Sequence, residues 1–303
     1  MRTAFIKQLV EEARKNDKIF LLVGDLGYNV VEPFANAFPD RFYNVGISEQ
    51  NMAGMAAGLA MTGFNVYIYS IGNFPTLRCL EQTRNDISYY NANVKIVSVG
   101  GGYAYGSLGM SHHATEDIGV MRTLPNMVVC SPSDPSEARA VTRLSATYNG
   151  TMYIRLGKAG EKQVFPEENY DLRLGELHCY QESNSPSALL ASGSIMYSAV
   201  NWLHDNKVDT AVYSVPFIKP LCKEQLIALA EKHPSLVVLD EHQKSCGVAS
   251  ALLEQFSDLY AEGIIKTFPH IRRIEVNDEY LHFAGNQDYM RKITHLTLQK
   301  DFF

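Results

Sequence analysis

Short runs of β-branched and other apolar residues alternate along this chain with stretches whose apolar positions recur every three or four residues. The runs predict strands over 19–23, 66–69, 94–99, 126–130 and 152–155, and the longer-period stretches predict helices over 3–15, 48–62, 76–88 and 134–147. Such alternation is the signature of a mainly parallel sheet covered by helices. The firmest boundary is Asp134-Pro135-Ser136-Glu137. There Asp134 caps a helix, Pro135 suits its first position, and Glu137 reaches back to complete a capping box.

From 157 to 186 the pattern dissolves into polar residues with Pro166, Gly175 and the run Glu182-Ser183-Asn184-Ser185-Pro186. Residues 166–186 therefore read as a linker. A second series follows, with strands over 188–191, 210–215 and 236–239 and helices over 194–205, 222–232 and 247–259. After Pro269 the pattern is irregular, and Phe302-Phe303 close the chain with something to pack against. The fold class expected is α/β, with two doubly wound domains over 1–165 and 187–303.

Length agrees, since 303 residues suit two domains of roughly 150 residues each. The net charge of -6 comes without a long single-sign run, so nucleic acid is a poor partner for this surface. No stretch approaches the roughly 20 consecutive apolar residues of a membrane span, and the first residues lead into an amphipathic helix instead of a signal sequence. No membrane association and a cytoplasmic location are expected. The five cysteines are odd in number, scattered and free of Cys-x-x-Cys, which predicts free thiols instead of a zinc site or disulfide framework.

One helix start stands out chemically. Glu49 opens a stretch, 49–60, that is otherwise mostly small and apolar, so its carboxyl meets both a helix amino terminus and low-dielectric surroundings. These act in opposite directions on its proton affinity. On pattern alone a helix-capping acid and a proton-sharing acid are both open readings. The surrounding Gly46-Ile47-Ser48-Glu49-Gln50-Asn51 resembles the motif of transketolase-type thiamine-diphosphate enzymes. The similarity runs the length of the chain, as a pyrimidine-binding domain followed by a smaller carboxy-terminal domain. Val23-Gly24-Asp25-Leu26 resembles the family's Ala-Asp-Leu turn, and Ser111-His112-His113-Ala114-Thr115-Glu116-Asp117 resembles its Thr-His-Gln segment. Leu124-Pro125-Asn126-Met127 and Ser131-Pro132-Ser133-Asp134 follow in the same order.

The resemblance implies roles. Glu49 becomes the acid that hydrogen-bonds the cofactor's aminopyrimidine and readies it to take a proton, the reacting carbon being the cofactor's own. Phe74, otherwise readable as core, becomes the aromatic against that ring, with Ile71 flanking it. Leu26 props the bent cofactor and Asp25 lies beside it. His112 donates to a substrate oxygen or moves a proton. Arg2, Asn29 and Lys158 join His112 in substrate binding; Arg2 and Lys158, otherwise surface charges, face a phosphate, with lysine a point charge where the family more often has a bidentate arginine.

Two departures carry information. Ser107-Leu108-Gly109-Met110 stands where transketolases carry Gly-Glu-Asp-Gly, so an acidic sugar contact is missing and a different sugar is implied. The family's Gly-Asp-Gly diphosphate and Mg2+ motif does not occur in this sequence. The resemblance therefore implies a split enzyme, with a partner chain, the N-terminal transketolase subunit, holding the diphosphate and metal, in an α2β2 assembly acting on sugars or sugar phosphates. Alternatives are a β subunit of a 2-oxo-acid dehydrogenase, a deoxyxylulose-phosphate-synthase-like enzyme, and a non-catalytic partner subunit. The segment Asp240-Glu241-His242 resembles a carboxy-terminal-domain motif and reads as structural. A nicotinamide reading of Gly100-Gly101-Gly102 fails on spacing, and no Gly-x-Ser-x-Gly elbow occurs.

Overall fold

The computed structural model describes residues 1–166 and 170–303. The first half runs α1 (Arg2–Lys15), β1 (Ile19–Val23), α2 (Glu32–Ala37), β2 (Phe42–Asn44), α3 (Glu49–Met61) and β3 (Asn65–Ile71). A helical passage over 77–88 follows, with α4 (Leu80–Gln82) at its centre, and then β4 (Val94–Val99), α5 (Asp117–Arg122), β5 (Val128–Cys130), α6 (Pro135–Thr147) and β6 (Met152–Leu156). The second half contains β7 (His178–Gln181), β8 (Ser187–Ala191), α7 (Ile195–Asn206), β9 (Ala211–Ser214), β10 (Phe217–Lys219), α8 (Lys223–Lys232), β11 (Ser235–Gln243), α9 (Val248–Ala261), β12 (His270–Val276) and α10 (Gln287–Ile293).

The first sheet has the order β10-β5-β6-β4-β3-β1-β2. Its pairings are parallel except that β10 runs antiparallel to β5. Strand side chains alternate between faces, and here both faces are buried. Leu22, Ile68 and Ile96 pack with Met52, Ala53 and Ala56 of α3, while Leu21, Tyr67, Tyr69 and Val97 pack with Phe5 and Leu9 of α1 and Val141 of α6. This is the two-sided burial that a parallel sheet requires. The second sheet, β12-β11-β8-β9-β7, is parallel apart from the edge strand β7.

The α6 start forms as expected and goes further. Asp134 accepts the Glu137 amide at 2.8 Å, and Glu137 reaches past Asp134 to accept the Ser133 amide at 2.7 Å. Glu137 also accepts from Ser214 Oγ of β9 at 3.0 Å, so the helix cap doubles as a bond between the two sheets' domains.

Four sequence expectations are corrected. The stretch expected as linker contains β7, a four-residue strand that pairs at the sheet edge with β9; too short for a readable alternation, it looks polar because three of the four residues are exposed. Residues 167–169 of that stretch lie outside the described residues. The tail after Pro269 is ordered as β12 and α10, and β12 hides its strand character behind Arg272, Arg273 and Glu275 because it too is an edge strand. β10 comes from the second half of the sequence yet completes the first sheet. The helix expected over 76–88 is a succession of 3-10, α and π turns, an irregularity frequent near functional sites.

Candidate active site

The carboxyl ends of β1, β3, β4 and β6 deliver the loops that carry most of the expected site residues, the position where ligands gather in parallel α/β sheets. Glu49 arrives at the same edge by way of the loop after β2, a strand parallel to β1, as the first residue of α3. Ser48 does not cap this helix; its hydroxyl donates to Val45 O at 2.7 Å. The Glu49 side chain is only 2% exposed. Its Oε1 accepts from Ser70 Oγ at 3.4 Å, and its Oε2 accepts from Arg78 Nη1 at 2.7 Å. Gly24 lies alongside: a Cβ there would stand 3.4 Å from Glu49 Cγ.

Phe74 and His112 complete a continuous group. The Arg78 guanidinium carbon stands 4.4 Å from the centre of the Phe74 ring, and that ring meets the His112 imidazole edge-on at 5.4 Å. Two devices hold the β3 loop against the histidine loop. Gly72 takes φ +43°, strained for any side-chain-bearing residue, and a Cβ there would lie 3.5 Å from Ala114 Cβ. Next to it, Asn73 Nδ2 donates to His113 O at 2.8 Å. His112 is half-buried and near Ser111 Oγ, 3.0 Å from its Nδ1. Burial, and secondarily His113, holds its imidazole pKa below the ordinary value.

The basic residues lie further along the same line. Tyr105 is 6.5 Å from the His112 ring centre, and the Lys158 ammonium stands 5.0 Å over the Tyr105 ring. Arg2 lies beside the same phenol; burial raises the Tyr105 pKa while the Arg2 charge opposes the rise. Arg2 Nε is buried without a hydrogen-bond partner. Arg2 and Lys158 thus flank one ring reached from His112, although 156 positions separate them in sequence.

The remaining expected residues stand apart from this line. Leu26 and Ile71 pack against the cluster on the α1 side of the sheet; Ile71 follows Ser70, and alternation along β3 turns it away from Glu49. Asp25 is exposed, in a left-handed turn at φ 51°, and accepts from Asn44 Nδ2 at 3.1 Å and Tyr28 OH at 3.2 Å. Asn29, also left-handed at φ 61°, donates its amide to Glu32 Oε1 at 2.8 Å. Sequence reasoning missed Arg78 and Tyr105 as members of the group. The signal for Arg78 was its place four residues beyond Phe74, one turn away in any helical passage.

Among the described residues no cluster of three or more His, Cys, Asp or Glu side chains is placed to hold a metal. The donor set instead fits a flat, nitrogen-bearing ring. The slot between the Phe74 face and the Glu49 carboxylate already holds a planar group that donates an N–H, the Arg78 guanidinium.

A two-domain α/β chain with a buried glutamate opening a helix at the mouth of a parallel sheet has the features of a thiamine-diphosphate enzyme's pyrimidine side. Comparison with known proteins makes this specific. Residues 1–160 match the transketolase pyrimidine-binding domain and residues 180–289 the transketolase C-terminal domain, and the chain belongs to the transketolase family. It is 31% identical to an apulose-4-phosphate transketolase subunit of Phocaeicola vulgatus over 85% of this chain and 83% of that protein. It is 28% identical to a 6-deoxy-6-sulfo-D-fructose transketolase subunit of Clostridium sp. over 99% and 91% of the two chains. Among solved structures it resembles a split-gene transketolase described as an inactive β4 tetramer, with a TM-score of 0.83, 32% identity and coverage of 98% and 93%.

Proposed function

We propose that this chain is the pyrimidine-side subunit of a two-chain transketolase that moves a two-carbon ketol unit from a ketose to an aldose acceptor. The observation that carries the reading is the buried Glu49 carboxyl beside the Phe74 face, with His112 against the same ring. Thiamine diphosphate, when bound, supplies the carbanion chemistry of the ketol transfer. Glu49 and Phe74 would hold its pyrimidine, with Leu26, Ile71 and Asp25 behind and beside the site.

The protein's own tasks follow from its residues. Glu49, enclosed and hydrogen-bonded by Ser70, shares a proton with the ring nitrogen it faces. His112, kept neutral near pH 7 by burial, donates a hydrogen bond to the substrate oxygen. Arg2 and Lys158 hold an anionic group at the far end of the sugar, and Asn29, exposed on the loop after β1, is the further residue assigned to substrate. The names of two relatives, one with a phosphate and one with a sulfo group on the sugar, support an anionic substrate.

The diphosphate and Mg2+ belong in this reading to a partner chain, the N-terminal transketolase subunit, in an α2β2 assembly in the reducing cytoplasm, where five free cysteines persist. The solved relative whose β chains form an inactive tetramer supports a requirement for that partner. The test is to purify this chain with and without a diphosphate-binding chain encoded beside it and to assay ketol transfer over phosphorylated and unphosphorylated ketoses. Transfer by the pair and by neither chain alone supports the reading; decarboxylation of a 2-oxo acid instead would overturn it.

A further inference from the structure

Arg78 has no part in the chemistry described above, yet it holds the centre of the site. Its guanidinium is planar, cationic and rich in N–H donors. It lies 4.4 Å over the Phe74 ring and donates to Glu49 Oε2 at 2.7 Å. These are the two contacts the pyrimidine reading assigns to the cofactor's ring: an aromatic face and an N–H shared with Glu49. A single slot cannot serve both groups. Nor can the two contacts coexist, because the guanidinium, at 2.7 Å, occupies the oxygen that would share the pyrimidine's proton.

From these contacts we infer that Arg78 is a latch. It occupies the pyrimidine slot while the subunit is empty, keeps the buried Glu49 charge paired, and swings out when the cofactor's ring arrives. The inference rests on the pyrimidine reading of the site and adds to it a built-in competitor. Three observations make the movement inexpensive. The Arg78 side chain is 43% exposed, so water lies within reach of its charged end. It sits in the 3-10 turn Leu77–Cys79 ahead of α4 and the π turn, in irregular backbone. Its carboxylate partner retains Ser70 Oγ as a second donor, so Glu49 is not stranded when the arginine leaves.

The latch has a purpose in a subunit that must meet a partner. An unpaired carboxylate that is 2% exposed would destabilise the empty chain, and the arginine neutralises it until the cofactor is delivered. The cost appears as weakened cofactor binding. The effect of Arg78 therefore falls on affinity more than on turnover.

The test compares the assembled subunit pair with its Arg78→Met, Arg78→Lys and Glu49→Gln variants, measuring thiamine diphosphate affinity by calorimetry in saturating Mg2+ together with kcat. Arg78→Met is expected to bind the cofactor about two- to tenfold more tightly, the range of a half-exposed ion pair plus a cation–π contact, with kcat within about twofold of the parent, a margin that keeps Arg78 outside transition-state binding. Arg78→Lys, which keeps the charge without the planar fork, is expected between the two. If Arg78→Met binds equally or less tightly while Glu49→Gln still loses the cofactor, the latch is wrong and the site reading stands. If neither the parent nor Arg78→Met binds thiamine diphosphate in the pair, the site reading is wrong and the latch falls with it.

Discussion

Arg155 and Asp117 form a buried ion pair, Nε to Oδ2 at 2.9 Å, with both side chains almost wholly enclosed. The pair binds three parts of the molecule together. Arg155 leaves β6, Asp117 opens α5 after the histidine loop, and the same guanidinium donates to Ala114 O at 2.7 Å and to Glu241 O of β11 at 2.9 Å. The histidine loop is thus fastened from below by a residue that also clamps the second domain. The junction is close: a Cβ on Gly102 would lie 2.8 Å from Glu241 side-chain carbon atoms.

Removing this arginine leaves Asp117 and the neighbouring Asp240 buried without it. Asp240 already lacks a hydrogen-bond partner on either oxygen and stands 3.9 Å from Arg155 Nη1. Arg155→Met is expected to cost about 3–5 kcal/mol, the loss on breaking one side of a buried pair. Urea unfolding followed by circular dichroism checks it, and a loss under about 1 kcal/mol, the scale of an exposed pair, would show that the network does not hold the domains.

Glu275 provides a pH dependence. Burial pushes its carboxyl up to about 8, with Asp240 adding to the rise and Arg273 opposing it. A carboxyl whose folded pKa exceeds its unfolded value binds more protons in the native state, so its contribution to stability is complete below the unfolded value and is lost as pH rises through about 8. Stability should therefore decline between about pH 5 and 9, and Glu275→Gln should flatten that decline. Unfolding midpoints across this range decide it; identical slopes in parent and variant would refute the assignment.

His112 makes a kinetic prediction. With its pKa below the ordinary 6.5, it is neutral at pH 7 and becomes charged only in acid. In the assembled enzyme His112→Gln is expected to lower kcat/KM by about 10²-fold or more, the scale of a positioned proton donor, and to remove the acid limb of the pH profile. A profile of unchanged shape would place His112 outside the chemistry.

Much of this architecture was legible in the sequence because its signals are local. β1, β3, β4, β5 and β6 of the first sheet and the Asp134 cap follow from apolar runs and one four-residue motif, and Glu49 was conspicuous as an acid heading a helix of small residues. What escaped depends on distant pairing. β10 has three residues and becomes a strand only because β5 lies open beside it. β7 and β12 are edge strands with polar residues along their length, so neither shows the continuous apolar run that marks buried strands. Arg78 was passed over for a related reason: Phe74 lies four residues before it, but its carboxylate partner Glu49 is brought to it by a separate element, α3.

If Glu49 readies thiamine diphosphate within a two-chain transketolase, the most direct measurement is ketol transfer by the pair carrying Glu49→Gln. The amide keeps the shape of the side chain and cannot share the proton. The variant is expected to fold and assemble like the parent, by circular dichroism and sedimentation, while transfer falls by about 10²-fold or more. A variant pair that transfers ketol units at the parent's rate would contradict the role given to Glu49 and, with it, the reading of the site.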